Sequence, residues 1–284
     1  MNINIVEPSG FCAGVKRAID LVQDALERYS SVYCLGELIH NEPVVSNLKK
    51  EGLIVIDDLL ELKDKDLSNS AVVIRSHGTK RAVYDFLNRN NIAIIDATCI
   101  IVKKIQGLCQ KFSKDGYSMI IFGDKLHHEV QSLMDHCSGK ASVITKAEDL
   151  GKEIAVDRSI LISQSTKDEK DLLAIYKQLL KRGLPKANFY NTICSDIKTR
   201  QEELGSLADS VDTVLVLGSK QSANTANLFS IAKERCSDSY LISDLDELPE
   251  EEIRCSSNIA IATGASTPYN FLNSVKERIK NLYK

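Results

Sequence analysis

Cys12, Cys99 and Cys194 head three copies of one pattern that keeps its register. Each has a lysine four residues on (Lys16, Lys103, Lys198) and a glycine 24 residues on (Gly36, Gly123, Gly218). Four residues past the glycines stand His40, His127 and Ser222, all able to hold an anion; two further on stand Glu42, Glu129 and Asn224. Constant spacings in units roughly 90 residues apart mark an internal repeat, which fixes architecture before any other feature is read. The expectation is three similar domains about a pseudo-threefold axis, with the three thiols converging on it. Three thiolates would leave a bound metal one ligand short, because a closed structural zinc site takes four. An iron–sulfur cubane on three cysteines would turn its fourth iron toward a substrate. Spacing leaves zinc and iron both open, and the threefold arrangement favours the cluster.

A second loop recurs in each unit after a buried strand: Ser76-His77-Gly78, then Ser163-Gln164-Ser165-Thr166, then Thr263-Gly264-Ala265-Ser266-Thr267. Together the repeats supply His40, His77, His127, Ser165, Thr166, Ser222, Asn224 and Ser266. Histidines with hydroxyl and amide groups make a cradle for a phosphate ester. Glu129, the carboxylate beside a histidine in the central repeat, suits a proton donor to a leaving oxygen. The other cysteines, Cys34, Cys109, Cys137, Cys236 and Cys255, fall outside the register and read as core packing. His128 and His136 read as structural or solvated, and the three repeat lysines as exposed faces or as charges offsetting a cluster. Pro43 follows Glu42, whose role stays open.

These side chains need elements to carry them. The runs before each cysteine, residues 3–6, 92–95 and 188–190, read as strands. After each cysteine an apolar stripe at helical spacing follows: Val15, Ala18, Ile19, Val22, Ala25; then Val102, Ile105, Leu108, Cys109, Phe112; then, sparser, Ile197, Leu204, Leu207 and Ala208. Each cysteine therefore sits in a strand-to-helix loop, where amide donors and the helix dipole favour a thiolate. Strands alternating with helices predict an α/β fold of mostly parallel sheets, in which ligands bind beyond the strands' carboxyl ends. The repeat divides the chain into 1–98, 99–193 and 194–284, small α/β domains that share interfaces. The acidic stretch 244–252 reads as a solvated loop.

Apolar content of 43% and charged content of 26% are globular values. A net charge of −3 gives no basic field for nucleic acid, and no apolar run approaches the roughly 20 residues of a membrane span. With no secretory leader and no CxxC pair, the eight cysteines point to a reducing cytoplasm.

At these residues the chain resembles the IspH (LytB) family of 4-hydroxy-3-methylbut-2-enyl diphosphate reductases, which end the non-mevalonate isoprenoid route. The matching stretches are Gly10-Phe11-Cys12-Ala13-Gly14-Val15, Ile39-His40-Asn41, Ser76-His77-Gly78, Asp96-Ala97-Thr98-Cys99, Glu129-Val130, Gly218-Ser219-Lys220 and Gly264-Ala265-Ser266. They run through the whole chain. The resemblance implies three α/β domains around one 4Fe–4S cluster held by Cys12, Cys99 and Cys194, with an open iron. It implies that His40, His77, His127, Ser222, Asn224 and Ser266 hold the diphosphate and that Glu129 supplies protons. Two electrons, from an external donor such as ferredoxin or flavodoxin, then remove the allylic hydroxyl as water. Three positions depart from the family: His128 for a common proline, Ser165 for a threonine and Ala223 for a frequent serine. The RNA-binding domain appended in some relatives is not expected here.

Two other functions fit part of the pattern. A quinolinate-synthase-like dehydratase also draws one cysteine from each of three domains, but its dicarboxylate substrate calls for arginines. An iron–sulfur electron carrier needs no polar cradle.

Overall fold

Runs such as Ser-Ala-Val-Val-Ile and Thr-Val-Leu-Val-Leu carry apolar side chains on both faces, which suits parallel strands covered by helices on either side. In the computed structural model, which describes residues 1–63, 65–151 and 156–283, those runs are fully buried strands. The strands are β1 (Asn2–Ile5), β2 (Ser31–Leu35), β3 (Leu53–Ile56), β4 (Ser70–Ile74), β5 (Ala93–Asp96), β6 (Ser118–Phe122), β7 (Ala141–Ile144), β8 (Ser159–Ser163), β9 (Thr213–Leu217), β10 (Ser239–Ile242) and β11 (Asn258–Thr263). The helices are α1 (Ala13–Arg28), α2 (Glu42–Lys50), α3 (Arg81–Arg89), α4 (Ile100–Lys114), α5 (His128–His136), α6 (Glu169–Lys181), α7 (Ser195–Ala208), α8 (Ala223–Arg235), α9 (Glu250–Cys255) and α10 (Tyr269–Asn281).

The chain divides into two compact units. The first comprises Met1–Lys16, His40–Val44 and Ser195–Lys284. Its sheet runs β10-β9-β11-β1, parallel throughout. Alternate strand residues feed two cores. Val214, Val216, Ala260 and Ala262 pack with Leu204 and Ala208 of α7 and Leu228 and Ala232 of α8. Leu215, Leu217, Ile259 and Ile261 pack with Ile253 of α9 and Leu272, Val275 and Ile279 of α10.

The second unit, Arg17–Ile39 and Val45–Cys194, holds two parallel sheets, β3-β2-β4-β5 and β7-β6-β8. Tyr33, Val72, Ile74 and Leu87 of α3 share one core. Met119, Ile121, Ile160 and Ile162 meet Ile105 and Cys109 of α4 and Val130 and Leu133 of α5. On the other face, Ile120, Phe122 and Leu161 meet Leu172, Ile175 and Leu179 of α6.

The sheets repeat one plan: the strand after each repeat's first helix lies inside, and the strand leading to a cysteine lies at an edge. β5 leads to Cys99 and β1 to Cys12, so β1 joins the sheet of β9–β11. Before Cys194 the expected strand is reduced to a short 3-10 turn at Lys186–Asn188 and a single parallel bridge from Phe189 to Leu161. Residues 244–252 are not a loop. Leu245–Glu247 form a 3-10 turn capped by Asp244, and α9 follows. Cys34, Cys109, Cys137 and Cys236 are buried as expected; burial pushes the Cys34 thiol up to about 12. Cys255 is the exception: it ends α9 and is exposed, so it fills no core. No helix among the described residues is long and apolar enough to cross a membrane.

Candidate active site

Each repeat cysteine stands at a helix start, and its amide meets the residue two past the end of a strand: β11 for Cys12, β4 for Cys99 and β8 for Cys194. The Cys12 N–H donates to Ala265 O at 3.0 Å, that of Cys99 to Ser76 O at 2.9 Å, and that of Cys194 to Ser165 O at 2.9 Å. The repeat glycines obey an equally regular rule. Gly36, Gly123 and Gly218 donate to the last carbonyl of the neighbouring strand, at Ile56, Ile144 and Ile242, over 2.7, 2.9 and 2.9 Å. The register in the sequence is thus a register of backbone hydrogen bonds. The three repeat cysteines are half-buried thiols, and Cys12 Sγ accepts the Val15 N–H at 3.4 Å.

The second unit joins Cys99, His77, His127, Glu129, Ser165 and Cys194 in one chain of contacts. The His77 and His127 rings meet edge to face, centroids 5.3 Å apart. His127 caps α5, its Nδ1 accepting the Glu129 N–H at 3.2 Å. Glu129, 1% exposed, takes the Ser165 N–H on Oε1 at 2.7 Å and the Ser165 hydroxyl on Oε2 at 2.8 Å. Burial raises its pKa above the usual carboxyl range, against a smaller lowering by the two Ser165 bonds. Burial is the larger of the two effects, so the protonated form is favoured relative to an ordinary carboxyl. Gln164 Nε2 donates to Thr166 Oγ1 at 3.1 Å.

The first unit gathers Cys12, His40, Ser222, Asn224 and Ser266. Ser266 Oγ donates to His40 O at 3.2 Å, while Asn41 Nδ2 donates to Ser266 O at 2.7 Å. Ser222 caps α8, accepting the Thr225 N–H at 3.4 Å, so Ser222 and Asn224 lie at the positive end of that helix. The loop of Ser266 packs against the same helix end. A Cβ on Gly264 would lie 2.3 Å from Thr225 Oγ1, so only glycine allows that approach. Asn224 is 4% exposed, and both ends of its amide are buried without a protein hydrogen bond. Such an amide costs stability unless a ligand satisfies it.

This order of cysteine, glycine and cradle residues is that of one protein family, whose model, described as LytB protein, matches residues 3–280. The chain belongs to the LytB family. A LytB relative, the 4-hydroxy-3-methylbut-2-enyl diphosphate reductase of Caldanaerobacter subterraneus subsp. tengcongensis, is 37% identical over 287 residues, covering 99% of this chain and 98% of that one. The like-named protein of Helicobacter pylori (strain Shi470) is 35% identical over 282 residues, covering 99% and 100%. Among solved structures, the E-1-hydroxy-2-methyl-but-2-enyl-4-diphosphate reductase of Plasmodium falciparum superposes with a TM-score of 0.87 at 25% identity, covering 99% and 87%. A second, described as the terminal enzyme of the non-mevalonate pathway, gives 0.71 at 32% identity, covering 99% and 100%. The LytB fold has three α/β domains, and LytB enzymes use an iron–sulfur cluster.

Of the three positions expected to depart from the LytB pattern, Ser165 has a hydroxyl that meets Glu129. Ala223 begins α8 between Ser222 and Asn224, and His128 begins α5. Glu42 is exposed, unlike its counterpart Glu129. Three supporting residues escaped the sequence reading. Gln164, fully buried, also takes the Asp124 N–H at 3.0 Å. Thr192 accepts the Ser163 N–H at 2.8 Å two residues before Cys194. Arg200, 1% exposed, donates to Gly10 O at 3.0 Å and Thr263 O at 2.9 Å, fixing the loop that carries Cys12. Gln164 and Thr192 flank motif residues and could have been suspected; nothing in one sequence marks Arg200.

Proposed function

We propose that this LytB enzyme removes the hydroxyl of (E)-4-hydroxy-3-methylbut-2-enyl diphosphate reductively, giving isopentenyl and dimethylallyl diphosphate. The allylic C–O bond breaks, two electrons enter, one proton goes to an allyl carbon, and the other leaves with the oxygen as water. The observation that carries this reading is Glu129: a buried carboxyl, favoured in its protonated form, held through both oxygens by the loop that also receives the Cys194 amide.

Cys12, Cys99 and Cys194 fit as the ligands of one 4Fe–4S cluster. They are soft sulfur donors, half-buried and in equivalent backbone positions, and the Val15 N–H is bonded to Cys12 Sγ. A bound cluster would relay the electrons and offer an iron that no side chain of the protein holds. The chain's own groups do the rest. His40, His77, His127, Ser222, Asn224 and Ser266 hold the diphosphate, the Asn224 amide offering a donor and an acceptor that meet no protein partner. Ser165 and Thr166 orient the hydroxyl end, and Glu129 delivers the proton to the departing oxygen. The electrons come from an external carrier such as ferredoxin or flavodoxin, in the cytoplasm, where the thiols stay reduced.

The test is turnover. Protein purified anaerobically and given reduced methyl viologen should convert the allylic hydroxy diphosphate into the two isomeric products, consuming two electrons per molecule. Protein that contains iron and sulfide, binds the diphosphate and leaves its hydroxyl in place would overturn the reading.

A further inference from the structure

α1, α4 and α7 each begin directly after a repeat cysteine, but their charges differ. α1 carries three basic and three acidic residues, and α7 two and three. α4 carries Lys103, Lys104, Lys111 and Lys114 and no acidic residue, in a chain of net charge −3. At 3.6 residues per turn these lysines fall within an arc of about 100°, together with Ile100 and Gly107. All six positions are exposed, while Val102, Ile105, Gln106 and Cys109 bury the opposite side. Ile100 is a large apolar residue 62% exposed, next in sequence to Cys99. Arg17 adds a cation at that end, donating to Asp96 O and Thr98 O at 3.2 Å each. The acids nearby are Asp96, which takes Lys103 Nζ at 2.7 Å, Asp85 and Asp135, which line a pocket with Lys103 and Arg81, and Asp115 beyond the far end of α4. Lys104, Lys111 and Lys114 keep the face positive.

We propose that this face of α4, headed by Ile100, is the docking surface of an acidic one-electron carrier protein. The inference rests on the reductase reading, whose two electrons per turnover require two visits, each carrier leaving oxidised by one electron. A basic field raises the encounter rate with an acidic protein and favours brief complexes, and an exposed apolar residue inside a charged rim gives a small contact core. Consecutive Cα atoms lie about 3.8 Å apart, so a carrier resting on Ile100 is one residue from a proposed cluster ligand. The lysine stripe and the entry point for electrons share one helix.

The experiment titrates an acidic [2Fe–2S] ferredoxin into the holoenzyme by calorimetry at low and high salt, and compares turnover driven by reduced ferredoxin with turnover driven by reduced methyl viologen. Lys104→Glu and Ile100→Ser should each weaken ferredoxin binding at least about tenfold and slow ferredoxin-driven turnover in step. Viologen-driven turnover should hold, and Lys186→Glu, a reversal at an exposed site elsewhere, should change neither. Ferredoxin binding indifferent to Lys104→Glu and Ile100→Ser would overturn the proposal. So would an α4 face that binds duplex DNA or anionic vesicles and ignores ferredoxin. An unaltered holoenzyme that fails with viologen would count against the reductase reading instead.

Discussion

Ser165 grips Glu129 through both carboxyl oxygens, its amide on one at 2.7 Å and its hydroxyl on the other at 2.8 Å. A single residue thereby fixes the rotation of a buried acid and tempers the rise in its pKa. The same residue offers its carbonyl to the Cys194 amide at 2.9 Å. The acid and a proposed cluster ligand are therefore positioned by one three-atom span of backbone.

Replacing Glu129 by Gln keeps shape and burial but removes the proton. Turnover with an artificial reductant should fall by at least about a hundredfold, within the usual contribution of general acid catalysis. Iron content and substrate affinity should stay normal. An unchanged rate in Glu129→Gln would move the acid elsewhere.

Stability should respond to the same substitution in a pH-dependent way. Burial raises the Glu129 pKa in the folded chain, so its contribution is fully present at low pH and is lost as pH rises through the folded value. Glu129→Gln has no charge to bury. Melting temperatures at pH 5 and pH 8 should show the parent losing ground to the variant at the higher pH; parallel behaviour would contradict a raised pKa.

Ser165→Ala deletes the hydroxyl bond and keeps the amide bond. Because the hydroxyl lowers the Glu129 pKa, its loss should move the alkaline limb of the kcat profile to higher pH. Ser165→Thr should restore the limb. A profile unmoved in Ser165→Ala would show that Glu129 does not set it.

Cys194→Ser should lose the brown chromophore or the activity, because thiolate ligation is removed. Cys236→Ser should be mild, since the Cys236 thiol lies 3.5 Å from Asp212 O, a bond a hydroxyl can keep. Normal iron content and turnover in Cys194→Ser would rule out the three-cysteine site.

The buried amide of Asn224 predicts an opposite pair of effects. Asn224→Ala should weaken binding of the diphosphate roughly ten- to a hundredfold, as expected for hydrogen bonds to a charged group. It should leave the melting temperature of the free protein unchanged or higher, because a polar group without a protein partner disappears. Equal binding by the variant would take Asn224 out of the cradle.

Much of this site was legible because its spacings are backbone geometry written into the chain. The cysteine and glycine positions repeat since the same amides meet the same carbonyls in each sheet. The helices after Cys12 and Cys99 were clear from apolar period, since their buried faces are continuous. The strand expected at 188–190 was not there, because an edge position with one bridge demands little of its residues. The acidic run 244–252 looked like a solvated loop, yet the Glu247 carboxylate caps Ser243 and pairs with Lys220, giving that charge a structural use. Arg200 was invisible, since a buried guanidinium is recognised only when its carbonyl partners, far apart in sequence, have met.

The pairing of β1 with β11 has a consequence for assembly during synthesis. Asn2 and Asn258, bonded across that pair, are 256 positions apart, so the first strand made waits for one of the last. Closing so long a loop costs little more than closing a shorter one, about 0.6 kcal/mol per doubling, but it makes the contact late. Ala265, which receives the Cys12 amide, emerges later still. A nascent chain can therefore settle the loops of Cys99 and Cys194 while that of Cys12 still lacks its anchor. Cluster insertion should accordingly be an event of the finished polypeptide, with the oldest cysteine the last to reach its position.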